Sequence, residues 1–256
     1  MRKTVLITGA TSGIGEATAR KFAEASYRLI ITGRRQERLD KLSGQLASGY
    51  GAEVLTLCFD VRSKSEVGSH LGNLPDGWKK IDILVNNAGL AAGLSHIDEG
   101  DTDDWERMID TNIRGLLYVT RTVSPGMVER GAGHIINISS IAGKDVYESG
   151  SVYCATKHAV DALSKAMRID LLKHGIKVTN IAPGMVETEF SLVRFRGDSV
   201  KAAAVYTGIE PLKGEDIAEA IFYCATVPDH VCINDLVITP IAQANAFYSY
   251  RKTTQS

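Results

Sequence analysis

Short apolar runs alternate along this chain with longer stretches in which apolar residues recur at helical spacing. The short runs are rich in β-branched residues and do not alternate apolar with polar positions. This pattern is typical of strands whose two faces are both covered by helices. Seven runs are predicted to be strands: 4–8, 28–32, 54–59, 81–86, 134–139, 177–181 and 235–239.

The stretches between these runs are predicted to be helices. They are expected to begin near Ile14, Gln36, Ser63, Asp103, Thr111, Ser151, Ser191 and Glu215. Strands that alternate with helices in this way form a parallel sheet with right-handed crossovers. No change in composition, Pro/Ser-rich linker or repeat divides the chain. The sequence therefore predicts an α/β fold with a doubly wound parallel sheet of about seven strands, in one domain spanning 1–256.

The composition excludes several classes of function. A net charge of −1 in 256 residues gives no basic excess for binding nucleic acid or an anionic membrane. No apolar stretch approaches the roughly 20 residues that span a bilayer. The four cysteines have neither the spacing of a metal site nor a Cys-x-x-Cys pair, so no metal is expected. The N-terminus also lacks a secretory signal, which favours a cytoplasmic protein.

A glycine-rich segment follows the first predicted strand and opens a helix: TGATSGIG at 8–15. Gly9 suits a tight turn, Gly13 a close approach of the backbone to a pyrophosphate, and Gly15 close helix–strand packing. The helix N-terminus adds free N–H groups and partial positive charge. The spacing is G-x-x-x-G-x-G instead of G-x-G-x-x-G. We expect dinucleotide contacts from Gly9, Thr11, Ser12, Gly13, Ile14 and Gly15.

The end of the second strand distinguishes NAD from NADP. Arg34 and Arg35 lie there and no carboxylate does, which favours a 2′-phosphate over a ribose hydroxyl. The alternative is a pair of solvated arginines, although the start of a helix is electrostatically unfavourable for cations. We therefore predict NADP(H). Asp60 and Val61 follow the third strand and are expected at the adenine edge, but Asp60 could instead cap the helix near Ser63.

Tyr153 and Lys157 are the strongest signal for chemistry. At positions i and i+4 of a helix they project together, and the ammonium is expected to lower the pKa of the phenol from its usual value of about 10. Such a phenol could act as a general acid or base. Ser140 follows the fifth strand, thirteen residues before Tyr153, and its hydroxyl could bind a substrate oxygen; Ser139 is the competing choice.

Together these motifs resemble the short-chain dehydrogenase/reductase family over essentially the whole chain. The resemblance implies a Rossmann-type fold and hydride transfer between a nicotinamide cofactor and a carbonyl/alcohol pair. It rests on the glycine segment 8–15, NNAG at 86–89, Asn112, Ser140, and Tyr-x-x-x-Lys at 153–157.

The resemblance also assigns roles to individual residues. Tyr153 would be the general acid/base, and Ser140 would orient the substrate carbonyl. Lys157 would bind the nicotinamide ribose and lower the pKa of the phenol, and Asn112 would hold a water in a proton relay. Further cofactor contacts are implied for Asn87, Ala88, Gly89, Pro183, Gly184, Val186 and Thr188, and for Tyr153 beside its role as acid/base.

Residues 189–213 would form a lid over the substrate. This region, segment 32–39 and the start of the tail 240–256 resemble the NADP-dependent 3-hydroxy acid dehydrogenases, which act on serine, allo-threonine and 3-hydroxypropionate; some relatives reduce sulfoacetaldehyde. A small acidic substrate needs a cation, so Arg194 or Arg196 could clamp it and Tyr147 could add a hydroxyl contact. Alternatively, both arginines are solvated.

Other functions remain possible on the same fold. A 3-oxoacyl reductase or a general ketone or aldehyde reductase commonly has Gly-Gly after the last strand, whereas this chain reads TPIA at 239–242. A non-catalytic NADPH-sensing protein would typically lack the tyrosine or the lysine of the 153–157 motif. The long predicted helices 111–130 and 151–174 carry apolar residues on more than one face, and the resemblance implies a homotetramer built as a dimer of dimers.

Overall fold

In the part of the chain that the structure describes, seven parallel strands form one sheet in the order β3-β2-β1-β4-β5-β6-β7. The computed structural model describes residues 2–252, so the end of the predicted tail, 253–256, lies outside the described residues. The sheet confirms the Rossmann-type, doubly wound prediction. Its strands are β1 (Thr4–Ile7), β2 (Arg28–Gly33), β3 (Val54–Cys58), β4 (Ile83–Asn86), β5 (Gly133–Ile138), β6 (Ile176–Pro183) and β7 (Asp235–Ile238).

The helices lie between the strands, close to their predicted starts. They are α1 (Gly13–Glu24), α2 (Gln36–Tyr50), α3 (Lys64–Gly72), α4 (Thr102–Ile109), α5 (Leu116–Arg130), α6 (Ser151–Leu171), α7 (Glu189–Arg194), α8 (Ser199–Ala204) and α9 (Gly214–Thr226). The helix start predicted near Thr111 is not a separate start. Instead, α4 continues into α5 through a π-helical turn, Asp110–Gly115. The polar residues at the start of that turn look like a helix cap in sequence.

Two apolar cores cover the two faces of the sheet. Successive residues of β1 enter opposite cores: Val5 and Ile7 pack with α1, α2 and α9, whereas Leu6 packs with α3, α5 and α6. Because side chains alternate across a strand, both faces need apolar residues. This arrangement explains why the strands read as continuous apolar runs.

The functional residues gather at one edge of the sheet. β1 continues to β2 on one side, while β4 pairs with β1 on the other side, so the order of strands reverses between β1 and β4. Parallel sheets bind ligands beyond the carboxyl ends of their strands at such a reversal. The segments that follow β1, β4, β5 and β6 are 8–15, 87–89, 139–140 and 184–188. No helix within residues 2–252 is long and apolar enough to cross a membrane.

Candidate active site

A cavity of about 630 Å³ lies along this edge, with Arg34 and Asp60 at one end and Tyr147 and Arg194 at the other. Most of the residues predicted to bind cofactor or substrate line it. Three predicted site residues do not: Gly15, Asn112 and Arg196.

The glycine segment has the backbone that its sequence requires. Gly9 and Gly13 have φ angles of +67° and +53°, in the left-handed region that favours glycine. A Cβ on Gly15 would collide with the carbonyl oxygen of Gly9 and the side chain of Asn87. Gly15 therefore serves packing instead of lining the cavity. Within the described chain, the Ser12 hydroxyl makes no capping bond to α1, so the helix start suits an anion.

The turn after β4 holds this glycine segment in place. The amide of Asn87 donates to the carbonyl oxygens of Thr8 and Gly9 at 2.9 and 3.1 Å. The hydroxyl of Thr8 in return accepts hydrogen bonds from the backbone N–H groups of Asn87 and Ala88, both at 3.0 Å. The NNAG motif thus acts on the site by fixing the loop that follows β1.

Arg35 lies directly against the glycine segment. Its Nη2 donates to the hydroxyls of Thr11 and Ser12 at 3.0 and 3.2 Å, and its Nη1 contacts a carboxylate oxygen of Glu189 at 3.1 Å. Arg38, one turn further along α2, donates to the same carboxylate at 2.6 Å. Hydroxyl donors and guanidinium groups that already hold a carboxylate form a donor set that fits a phosphate.

Sequence reasoning missed Arg38 and Glu189. Arg38 could have been found, because it lies four residues after Arg34 on a predicted helix. Glu189 could not, since it is 154 residues from Arg35 in the chain. Burial alone would raise the pKa of Glu189, but its hydrogen bonds with Arg38 and Arg35 lower the pKa below its usual value. Its carboxylate therefore stays charged at neutral pH.

The structure separates the two interpretations of Asp60. The cap of α3 is Ser63, whose hydroxyl accepts from the N–H of Glu66 at 3.3 Å. Asp60 instead lines the cavity and binds the guanidinium of Arg62 at 2.6 Å, with Arg34 at 3.8 Å. Burial opposes its ionisation, but the hydrogen bonds from Arg62 outweigh burial and lower the pKa of Asp60.

Tyr153 and Lys157 lie one turn apart on α6, and both are buried, with exposures of 8% and 6%. The ammonium of Lys157 lies 5.9 Å from the centre of the Tyr153 ring and donates to the carbonyl oxygen of Ile138 at 3.0 Å. Burial lowers the pKa of Lys157 to about 8. The two side chains therefore share one water-poor site beyond β5.

The acidity of Tyr153 differs from the sequence expectation. Burial, and secondly the neighbouring phenol of Tyr147, raise the pKa of Tyr153; the hydroxyl of Ser140 and the charge of Arg194 only partly offset them. The lysine was expected to lower this pKa, but desolvation outweighs any such effect in this arrangement. At neutral pH the phenol is protonated, which is the form that can donate to a carbonyl oxygen.

The two candidate serines have different environments. Ser139 is almost fully buried, and its hydroxyl donates to the carbonyl oxygen of Ile181 on β6 at 3.2 Å. Ser140 is more exposed to the cavity. Its hydroxyl accepts from the N–H of Ala142 at 3.1 Å and donates to the carbonyl oxygen of Pro183 at 3.4 Å. The longer, weaker donation leaves Ser140 the better placed to bind a substrate oxygen.

Asn112 lies in the π-helical turn behind the cavity wall. Its carboxamide accepts from the N–H of Leu90 and donates to the carbonyl oxygen of Leu90, both at 2.9 Å, and it also donates to the hydroxyl of Thr156 at 3.0 Å. These bonds join α6 to the segment after β4. The water-holding role of Asn112 stays a prediction, and the contacts show a side chain that fixes the cavity wall.

Arg194, at the end of α7, contacts Tyr147, the residue that the sequence analysis proposed as a substrate contact. Its Nη2 donates to the hydroxyl of Tyr147 at 2.9 Å, and its Nε donates to the carbonyl oxygen of Gly93 at 3.2 Å. The guanidinium carbon lies 5.6 Å from the centre of the Tyr153 ring. Of the residues that the structure describes, no carboxylate forms an ion pair with Arg194.

Arg196 is directed away from the cavity. Its guanidinium binds the carboxylates of Asp101 and Asp104 at 2.7 and 2.9 Å, beside the start of α4. The chain turns sharply after α7, and Arg196 itself has a φ of +53°. The expectation that Arg196 could clamp an acidic substrate is not supported by this geometry, because two carboxylates already neutralise the side chain.

Gln243 is a further site residue that the sequence did not reveal. Its side-chain oxygen accepts from the N–H of Met185 at 2.8 Å, and the residue is buried and lines the cavity. The bond ties the described part of the tail to the segment after β6. Among residues 2–252, no cluster of three or more His, Cys, Asp or Glu side chains is arranged to hold a metal ion.

Comparisons with known proteins agree with the fold and motifs. A family model described as short chain dehydrogenase matches residues 3–197. The chain therefore belongs to the short-chain dehydrogenase family and is an oxidoreductase of that family. It is 48% identical over 250 residues to the NADP-dependent 3-hydroxy acid dehydrogenase YdfG of Salmonella typhi, which covers 97% of this chain and 99% of that protein.

Two further relatives have related names. Sulfoacetaldehyde reductase 2 of Chromohalobacter salexigens is 47% identical over 245 residues, covering 95% of this chain and 96% of that protein. Among solved structures, the closed form of a serine dehydrogenase complexed with NADP+ superposes with a TM-score of 0.90 and 47% identity. That match covers 98% of this chain and 100% of the other.

Proposed function

We propose that this protein is an NADP-dependent oxidoreductase that interconverts a small 3-hydroxy acid and its carbonyl form. Serine, allo-threonine and 3-hydroxypropionate represent the substrate class. The observation that carries the proposal is the cation of Arg194 beside the phenols of Tyr147 and Tyr153, with no carboxylate partner in the described chain. The names of the relatives support both the cofactor and the substrate class.

Some of the residues that line the cavity would bind the cofactor, and others would bind the substrate or transfer its proton. When bound, the nicotinamide of NADP(H) supplies or accepts the hydride. Tyr153 would donate a proton to the carbonyl oxygen during reduction and remove it from the alcohol during oxidation. Ser140 would hold that oxygen by a hydrogen bond, and Lys157 would bind the nicotinamide ribose.

The other residues proposed to contact the cofactor also line the cavity or support its lining. Arg34 and Arg35 would hold the 2′-phosphate, and Asp60 and Val61 the adenine edge. The other proposed contacts are Gly9, Thr11, Ser12, Gly13, Ile14, Asn87, Ala88, Gly89, Pro183, Gly184, Val186 and Thr188, with Gly15 supporting the loop from behind.

Residues 189–213 are proposed to form the lid over the substrate within a single domain of residues 1–256. The short helices α7 and α8 lie in this segment, and α7 carries Arg194. Lids of this kind exclude water and complete the site when substrate is bound. The described tail would support the lid, since Arg251 donates to the carbonyl oxygens of Val205 and Thr207.

The replacement Arg194→Gln is expected to raise the KM for a 3-hydroxy acid by about 10- to 100-fold, because it removes a charged hydrogen-bond donor to the carboxylate. The value of kcat should change much less. Arg196→Gln is the matched control and should leave KM within about twofold of the wild-type value. Steady-state kinetics with 3-hydroxypropionate measures both. Equal effects of the two replacements would contradict the carboxylate clamp.

A second candidate activity is reduction of sulfoacetaldehyde. The planar fork of Arg194 suits a sulfonate as well as a carboxylate, since both offer paired oxygen acceptors. The relative named sulfoacetaldehyde reductase 2 supports this alternative. A 3-oxoacyl reductase or a general ketone or aldehyde reductase would have no use for a cation beside Tyr153. An NADPH-sensing role without catalysis would leave the Tyr153–Lys157 arrangement unexplained.

We further propose a homotetramer, built as a dimer of dimers, in the cytoplasm, without nucleic-acid or membrane partners. Ile169 at the end of α6 and the adjacent Leu172 are 76% and 72% exposed, and exposed apolar side chains on a long helix suggest a subunit interface. The four cysteines are free thiols, which suits a reducing compartment. Light scattering should give about four times the monomer mass, and a monomer at micromolar concentration would contradict the assembly.

A further inference from the structure

Glu189 holds Arg35 and Arg38 beside the phosphate end of the cavity, the end that Arg34, Arg35 and Asp60 line. Its Oε1 accepts from Arg38 at 2.6 Å, and its Oε2 accepts from Arg35 at 3.1 Å. The same guanidinium of Arg35 also contacts the hydroxyls of Thr11 and Ser12 in the glycine segment. The carboxylate of Glu189 thus occupies guanidinium donors that a phosphate would need, and it lies beside the hydroxyls of Thr11 and Ser12.

The position of Glu189 in the chain connects this end of the cavity with the other. It is the first residue of α7, directly after Thr188, whose hydroxyl caps the helix by accepting from the N–H of Phe190. Arg194 is the last residue of the same six-residue helix and reaches Tyr147. One short helix therefore carries an anion at the phosphate end and a cation at the substrate end, the end that Tyr147 and Arg194 line.

The ion pairs of Glu189 can exchange with a ligand. The side chains of Arg35, Arg38 and Glu189 are 42%, 46% and 39% exposed. Half-exposed pairs of this kind contribute little stability, so a doubly charged phosphate can replace the carboxylate. Two anions cannot use the same donors at full strength, because their repulsion adds to the loss of hydrogen bonds.

We propose that Glu189, which Arg38 holds beside the site, lowers the affinity for the cofactor by competing with its 2′-phosphate for Arg35, and that binding of this phosphate releases the start of α7. The inference rests on the proposed NADP dependence and is independent of the substrate. Through Glu189, the lid would respond directly to the 2′-phosphate, the group that distinguishes NADP from NAD. Glu189 keeps the lid attached to the phosphate site until that group is bound.

The test uses Glu189→Gln in the full-length enzyme, with adenosine 2′,5′-bisphosphate and AMP as probes. Titration calorimetry should show that the replacement tightens binding of the bisphosphate by about two- to tenfold, the range for two half-exposed ion pairs. Binding of AMP should stay within about 1.5-fold of wild type, because AMP lacks the 2′-phosphate and so does not compete with the exposed ion pairs of Glu189.

Glu37→Gln is the matched control, because Glu37 is exposed on the first turn of α2 and the structure describes no ion pair for it. It removes the same charge near the same arginines and should change bisphosphate affinity by less than about twofold, since exposed charges are screened. Equal effects of the two replacements, or an unchanged or weakened bisphosphate affinity for Glu189→Gln, would overturn the inference.

The same titrations distinguish a failure of the proposed competition from a failure of the proposed NADP dependence. Wild-type enzyme that binds the bisphosphate no better than AMP would contradict NADP dependence itself. Wild-type enzyme that prefers the bisphosphate, together with an unaffected Glu189→Gln variant, would contradict only the competition.

Hydrogen exchange of the wild-type enzyme gives an independent readout. The bisphosphate lacks the nicotinamide half and so cannot hold Thr188. Adding it should therefore speed the exchange of backbone amides in residues 190–195, whereas AMP should not. Unchanged or slower exchange in this segment with the bisphosphate would show that the start of α7 is not released.

Discussion

The replacement Tyr153→Phe is expected to lower kcat by about 10²- to 10⁴-fold, the usual contribution of a general acid or base. The dissociation constant for NADPH should change by less than about twofold, because general acid/base groups act on the reaction and not on ground-state binding. Only the hydroxyl is removed, while the ring keeps its edge contact with Phe190 at 5.7 Å between centroids. Turnover assays and a fluorescence titration with NADPH measure the two quantities.

Tyr147→Phe is the matched control for this experiment. It makes the same chemical change at a neighbouring, half-buried phenol, but the lost hydroxyl is the one that holds Arg194. Its main effect should be a higher KM for an acidic substrate. Undiminished turnover of Tyr153→Phe, or an equal loss of kcat in both variants, would rule out Tyr153 as the proton donor.

The double replacement Arg34→Asp with Arg35→Ala is expected to weaken NADPH binding about 100-fold more than NADH binding. It removes charged donors from the 2′-phosphate and adds a repelling carboxylate, and each charged hydrogen bond contributes about 1.5–3 kcal/mol. The 2′-hydroxyl of NADH carries no charge and should lose little. Dissociation constants for both cofactors, obtained by fluorescence titration, measure the effect.

Lys41→Asp provides the control, because it adds negative charge to α2 at an exposed position outside the cavity lining. It should reduce the binding of both cofactors by less than about twofold, since screening limits the reach of exposed charges. Equal losses of NADPH and NADH in the double variant would mean that the arginines do not recognise the 2′-phosphate.

Much of the fold could be predicted from local sequence patterns. Alternate residues of β1 enter separate cores, so a buried parallel strand must be apolar throughout, and that requirement is visible in the sequence. The placement of Tyr153 next to Lys157 on one face of α6 also follows from helical geometry alone. The π-helical turn around Asn112 could not be predicted, because its backbone depends on contacts with Leu90 and Thr156 from distant segments.

The substrate end shows why the remaining details of the site needed the structure. Arg194 and Arg196 are equivalent in sequence, yet α7 ends between them and only Arg194 reaches the cavity. The charges of Asp101 and Asp104 that hold Arg196 come from the start of α4. The raised pKa of Tyr153 likewise reflects burial by surrounding elements, which no local motif records.

Recognition of an acidic substrate by an NADP-dependent enzyme is tested by the initial rate at which NADP+ or NAD+ is reduced with 3-hydroxypropionate and with 1,3-propanediol. The two alcohols share a carbon skeleton and differ in the carboxylate that Arg194 would bind. We expect kcat/KM with NADP+ to be about 10- to 100-fold higher for the acid, the range for a charged hydrogen bond, and turnover with NAD+ to be much slower. Equal or better use of the diol, or a preference for NAD+, would contradict such recognition.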